Sequence, residues 1–457
     1  MTSKQETFSV FNTIRIERIE RIEIESREFC CFLIIATFLL LSSFHIIEFQ
    51  QGSKQPRRFS ESSSTEGYTN CFIRMLKNKK VLLWMLLGLL LIATSIGIAI
   101  PFMISNANSS TDSCSVVYFS TQASPSQKGK LMIVGGAIYN ESANANVNYN
   151  TTEIIDLDHE NSSCHLTTGY PYKASLIQAG VLNVCGKLKN VFCGGGNDNG
   201  ILRNCSEYTT EGFLHMGDFQ TKEVIGSASA VQIFDNFGEQ SLWIMGGRDS
   251  DYMLQSSTQL ISYTRGLQNG PELPDKIVNH CAVALNSTTV MVIGGQSGTI
   301  TSLQDSSKTF WYNFELGHWI EGPELSIARG RHACTVFETE DELRIYVVGG
   351  VNSQYHDLDS VEIAVLDQDN ILTMNWNWIE GPRFPFRIRE HALVSTNLGL
   401  YVIGGYRWEG NNYNYSDSIF ELNALSDYWI ELPQKMKVPR SYVAALILPE
   451  EFAISCK

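Results

Sequence analysis

The chain has 457 residues, with 34 Lys and Arg against 48 Asp and Glu and a formal net charge of -14. A hydrophobic content of 44% with 18% charged residues excludes a wholly disordered chain. The acidic balance speaks against a nucleic-acid partner, which requires clustered Lys and Arg.

The N-terminal region opens with the charge-laced, low-complexity stretch IRIERIERIEIESRE, followed by an apolar run at 29–47 that contains His45. That run is just long enough to cross a bilayer. A stronger run follows at 81–104, with no charged residue in it (VLLWMLLGLLLIATSIGIAIPFMI). It reads as a transmembrane signal-anchor helix. Lys54, Arg57, Arg58, Arg74, Lys77, Lys79 and Lys80 precede it, whereas 105–127 holds no Lys or Arg. Positive flanks stay cytoplasmic, so this asymmetry predicts a type II single-pass protein with an extracellular or lumenal C-terminal part. A two-pass arrangement stays open if 29–47 also crosses. The expected organisation is a cytoplasmic and juxtamembrane region 1–80, the span 81–104, a linker 105–113 and an ectodomain 114–457. Seven Asn-x-Ser/Thr sequons, Asn108, Asn140, Asn150, Asn161, Asn204, Asn286 and Asn414, all lie beyond the strong run and agree with it as glycosylation sites.

Internal repeats dominate the chain beyond residue 114. Six short apolar runs end in paired glycines: Gly135–Gly136, Gly195–Gly196, Gly246–Gly247, Gly294–Gly295, Gly349–Gly350 and Gly404–Gly405. Apolar runs bounded by glycine read as buried strands. A further strand precedes each run, as in CAVALN, ACTVFET and ALVSTN, and another comes after it, as in TEIIDL, TFWYNF and SIFELN. The later units close on WIEGPEL, WIEGPRF and WIELPQK, starting at Trp319, Trp378 and Trp429. Four strands every fifty or so residues predict one four-stranded sheet per repeat. RSYVAALIL near the C-terminus looks like the opening strand of a further unit and is expected to complete the first sheet.

An apolar run with Gly-Gly, a Tyr or acidic residue about a dozen positions later and a Trp before Gly-Pro resembles the Kelch repeat. The resemblance implies an all-β fold, a six-bladed Kelch-type β-propeller over about three quarters of the chain. Nothing in the sequence resembles the BTB domain that precedes many intracellular Kelch propellers.

The function expected is binding of a protein or glycan through loops on one face of the propeller, without a cofactor or metal. The loops after the paired glycines carry Arg248, Asp249 and Tyr252, then Tyr355 and His356, then Tyr406, Arg407 and Trp408. Tyr and Trp supply large contact areas at low entropy cost. With residues 1–80 set aside, 22 Lys and Arg face 39 Asp and Glu, which favours basic or neutral partners over polyanions. An alternative is an enzyme acting on sugars, since sialic acid mutarotases and carbohydrate oxidases resemble Kelch propellers. His280, His332 and His391 recur at one repeat position and would converge on the axis with Arg331 and Arg389. No fourth ligand accompanies these histidines at fixed spacing, so they are not read as a metal site. Arg329, Arg387 and Arg440 also precede opening strands and could serve as salt bridges between blades. Among eight cysteines beyond the span, Cys114 with Cys456 would clasp the ring, and Cys185 with Cys193 would face across a hairpin. Cys281 and Cys334 read as buried thiols.

Overall fold

The computed structural model describes residues 127–452, apart from 143, 161–162, 166–168, 222–225, 235–238, 300, 340–341, 355, 368–375, 410–411 and 424–426. Within it, six four-stranded antiparallel sheets succeed one another. Sheet 1 is made of Lys130–Val134, Thr152–Asp156 and Ser163–His165, with Ala444–Leu448 added as its innermost strand. Sheets 2 to 6 begin with Gln178–Val184, Ser229–Phe234, Cys281–Ala284, Ala333–Glu338 and Ala392–Ser395 respectively. Each of these innermost strands touches the next, and Ala444–Leu448 touches both Ala392–Ser395 and Gln178–Val184. The circuit is therefore closed around a common axis, the arrangement of a β-propeller.

Closure joins the two ends of the repeat region. Met132 lies opposite Leu446, and Val134 opposite Ala444, in an antiparallel pairing. The expectation for the C-terminal strand is thus met: it completes the first sheet as its innermost strand, joining the end of the repeat region to its start. Two buried ion pairs hold neighbouring sheets together. Arg440, with a fully buried side chain, donates to Glu153 at 2.6 Å across a separation of 287 residues. Arg329, equally buried, donates to Glu362 at 2.7 Å and to the Gly349 and Ser360 carbonyls. In both cases the carboxylate also accepts from backbone amides of the arginine's own segment, Lys437 on Glu153 and Ser326 and Ile327 on Glu362. Every charged lone pair so used offsets the cost of burial.

Second strands are buried almost without interruption, as in Thr289–Ile293 and Gly399–Ile403, because neighbouring sheets cover both faces. Outer strands alternate or face solvent, as in His318–Gly322. The Trp and Gly-Pro of the repeat have a shared purpose. Trp378 donates its indole N–H to the Pro323 carbonyl of the preceding sheet at 2.9 Å, and Trp429 does the same to Pro382.

Several expectations change. The type II topology is not supported, since no helix among the described residues is long and apolar enough to cross a membrane. The apolar runs 29–47 and 81–104 lie outside the described residues. Cys193 pairs with Cys205, not with Cys185, because it lies opposite Cys205 on adjacent strands with Cα atoms 4.1 Å apart. Cys185 is itself disulfide-bonded. Cys281 and Cys334 form a disulfide between the innermost strands of sheets 4 and 5, with Cα atoms 6.0 Å apart. Cys114 and Cys456 lie outside the described residues. The paired glycines of the second unit are Gly194 and Gly195, with φ of 67° and 94°, and Gly196 begins a small strand. Of the sequons, Asn140, Asn150, Asn286 and Asn414 are exposed and Asn204 is half-buried. Asn108 and Asn161 lie outside the described residues.

Candidate binding site at the axial mouth

Each innermost strand is entered through one residue in the left-handed region. These residues are Leu176, Ser227, Asn279, Arg331, Glu390 and Tyr442, with φ between 53° and 61°. None is glycine, and a left-handed non-glycine residue persists where its surroundings over-determine it. Here the surroundings include the neighbouring residues of the same set. The amide of Arg331 donates to the Asn279 carbonyl at 2.8 Å, Glu390 to Arg331 at 3.0 Å, and Tyr442 to Glu390 at 2.8 Å. Leu176 donates to Tyr442 at 3.2 Å, and Asn279 to Ser227 at 3.0 Å. Five hydrogen bonds thus join the six residues in series around the axis, from Ser227 to Leu176, and each sheet presents one side chain there.

These six side chains line a cavity of about 380 Å³. The segments after the paired glycines complete its wall, and most of them are β-hairpins, not open loops. Tyr139 comes from the hairpin Ala137–Asn140 with Ala145–Asn148, and Tyr406 and Tyr415 from Tyr406–Glu409 with Asn412–Tyr415. Arg248 and Arg389 also face the cavity.

Charge is distributed unevenly around the mouth. Arg331 donates to Glu390 at 2.8 Å, and Arg389 donates to Asp357 at 2.5 Å while lying 3.5 Å from Glu390. Tyr442 and then Glu390 hold the Arg331 guanidinium above its ordinary value against the effect of burial. Burial, reinforced by Glu390, drives the Tyr442 hydroxyl well above 10, so it remains a donor to that carboxylate. Burial also raises Asp357, an effect that Arg389 counters in part. Arg248 has no ion pair among the described residues; its buried Nε has no hydrogen-bond partner and its guanidinium stacks on Tyr252 at 4.9 Å.

The remaining sequence-derived site residues are dispersed. Asp249 accepts from the Asp251 and Met253 amides and from Gln255, so it shapes its own turn. His356 is exposed, and Tyr355 lies outside the described residues. Tyr406 stacks on Tyr413 with ring centres 4.9 Å apart, Trp408 packs edge-on to Tyr413, Arg389 lies over Tyr406, and Arg407 lies over Phe386. These groups pack on one another as an aromatic ridge, of which Tyr406 also lines the cavity.

The three histidines are not among the residues lining the cavity at the mouth. They are among those around the axial channel between the inner strands, next to Arg331, Glu390 and Tyr442. His280, His332 and His391 are buried wedges between neighbouring sheets. The Cε1 atom of His332 packs against Gly294 of the preceding sheet, and its Cβ against Gly350 of its own. His332 Nε2 also contacts the Ile293 carbonyl at 3.2 Å. Among the described residues no group of three His, Cys, Asp or Glu side chains could hold a metal. Burial lowers His280 to about 4 and His391 to about 3, so both rings are neutral at ordinary pH. The unfolded chain, with histidines near 6.5, takes up protons that the folded state refuses. Stability against urea is therefore expected to be complete above about pH 7 and to fall as pH drops from about 6.5 toward 4. A urea midpoint that rises on acidification through this window contradicts buried neutral rings.

Comparison with known proteins agrees with this arrangement of repeated sheets. The chain is similar to Kelch-repeat proteins. It is 27% identical to Kelch-like protein 41a of Danio rerio over 172 residues, which is 37% of this chain and 26% of that protein. It is 25% identical to Kelch repeat and BTB domain-containing protein 12 of Homo sapiens over 227 residues, 45% of this chain and 34% of that protein. Kelch-like protein 40 of Xenopus laevis is 25% identical over 171 residues, 37% of this chain and 26% of that protein. The chain thus spans about a third or less of the Kelch relatives it matches. No family profile matches it.

Sequence reasoning reached Arg248, Arg331, Arg389 and Tyr406 but missed Leu176, Ser227, Asn279, Glu390 and Tyr442. Their shared signal is position, two residues before each innermost strand.

Proposed function

We propose that the chain is a six-bladed Kelch propeller that binds a protein partner at its axial mouth, where Arg248 receives an acidic side chain. The observation that carries this reading is Arg248 itself, an arginine beside an open cavity without a counter-charge among the described residues. Tyr139 is 45% exposed beside it, and Tyr406 and Tyr415 supply further aromatic wall for the residues flanking the acid. A mouth of this size admits a side chain or a tight turn, and the hairpins around it would support the rest of a peptide. The relatives point the same way, since Kelch-repeat propellers act as protein-binding modules.

Peptide-display selection against residues 114–457 tests the proposal. The selected peptides are expected to share an Asp or Glu, and Arg248→Ala should weaken them about 10- to 100-fold, the scale of a lost charge-assisted hydrogen bond. Selected peptides that bind Arg248→Ala equally well, or a panel of neutral glycans binding where no peptide does, would contradict it.

A further inference from the structure

We propose that Glu390 is the specificity-determining residue of this mouth: it occupies Arg331 and restricts the site to ligands with one anionic group, which Arg248 takes. This rests on the binding reading above.

The mouth has two electrostatic halves. On one side, Arg331 and Arg389 face Glu390 and Asp357, so two guanidinium groups meet two carboxylates. Glu390 also accepts from the Ser441 hydroxyl at 3.2 Å and from Tyr442, and its side chain is 9% exposed. On the other side, Arg248 stands with the uncharged residues Ser227 and Asn279. One anionic group is attracted to the second half. A second anion on the same ligand would approach Glu390 where little water screens it, and like charges in such a place repel strongly.

Glu390 cannot withdraw to relieve that repulsion. Its amide is bonded to Arg331 and its carbonyl to Tyr442, and its φ of 60° is fixed by these bonds. The residue is therefore a built-in competitor for Arg331. The position tolerates different chemistry in every other sheet, since Leu, Ser, Asn, Arg and Tyr occupy it there. Its charge is thus not required to make the backbone series.

A matched pair of probes, benzoate and benzene-1,3-dicarboxylate, separates one anion from two on the same aromatic body. NMR titration of the folded protein with each gives a mono- to dianion preference. The native protein is expected to bind benzoate at least as tightly as the dicarboxylate. Glu390→Gln, which keeps the size and one acceptor oxygen, removes the counter-charge of Arg331 and should shift the preference toward the dianion by about tenfold. The double variant Arg331→Gln/Glu390→Gln should return it to the native ratio. An unchanged ratio in Glu390→Gln, or a native protein that already prefers the dianion tenfold, overturns the role of Glu390 alone. Absence of binding of either probe, with Arg248→Ala indistinguishable from native, overturns the binding reading and this inference together.

Discussion

Arg440→Ala is expected to lower unfolding free energy by about 3–5 kcal/mol, the largest loss for any single arginine with the comparable exception of Arg329→Ala. The change leaves Glu153, 4% exposed, charged and without its guanidinium partner, while the Gly135 and Val438 carbonyls lose their donors. The pair also sits at the seam where the last inner strand closes the first sheet, so the loss falls on the contact that completes the circuit. Urea unfolding of residues 114–457 measures it directly. Adding Glu153→Ala should recover part of the loss, since the stranded charge is then gone and only the vacated space remains. A double variant less stable than the sum of the two single changes would show that the pair does not act as a unit.

Gly349→Ala is the second large effect, and Gly266→Ala provides its internal control. Both glycines have positive φ, 60° and 64°, so both substitutions incur the left-handed cost of about 1–2 kcal/mol. A methyl group at Gly266 meets nothing within 4 Å. At Gly349 it would overlap the Ile388 carbonyl oxygen, which accepts the Gly350 amide, and would press on His391. Backbone cannot yield there without opening the junction between sheets 5 and 6. The difference between the two variants is expected to exceed about 2 kcal/mol in urea unfolding, in line with overpacked sites. Equal losses would mean that the paired glycines serve φ alone and not the close approach of neighbouring sheets.

The paired glycines and the Trp before Gly-Pro were readable because sterics allow little else at those positions. Gly349 must admit a neighbouring carbonyl, and Trp378 must reach Pro323 in the sheet before it. The closing strand was readable for the same reason, as Ala444–Leu448 repeats the small and apolar pattern of an inner strand. The mouth was not readable in this way. Its six left-handed residues share a backbone conformation and no side-chain chemistry, and a left-handed Leu176 or Tyr442 has no compositional mark. The repeated histidines, not read as a metal site from their spacing, recur because their rings fit between the paired glycines of neighbouring sheets, as His332 does against Gly294 and Gly350. Cys193 and Cys205 required the register of their strands, which places them opposite each other and which cysteine spacing alone does not give.

Hydroxyl-radical footprinting with a selected acidic peptide tests the central claim most directly. Tyr139, Tyr406 and Tyr415 line the mouth, whereas Tyr428, 65% exposed, is not among its lining residues. The account predicts that bound peptide protects the first three, that Tyr428 stays reactive, and that Arg248→Ala abolishes the protection. Protection confined to the opposite end of the axis, around Thr335, Leu393 and Leu446, would place binding in the cavity there and contradict it.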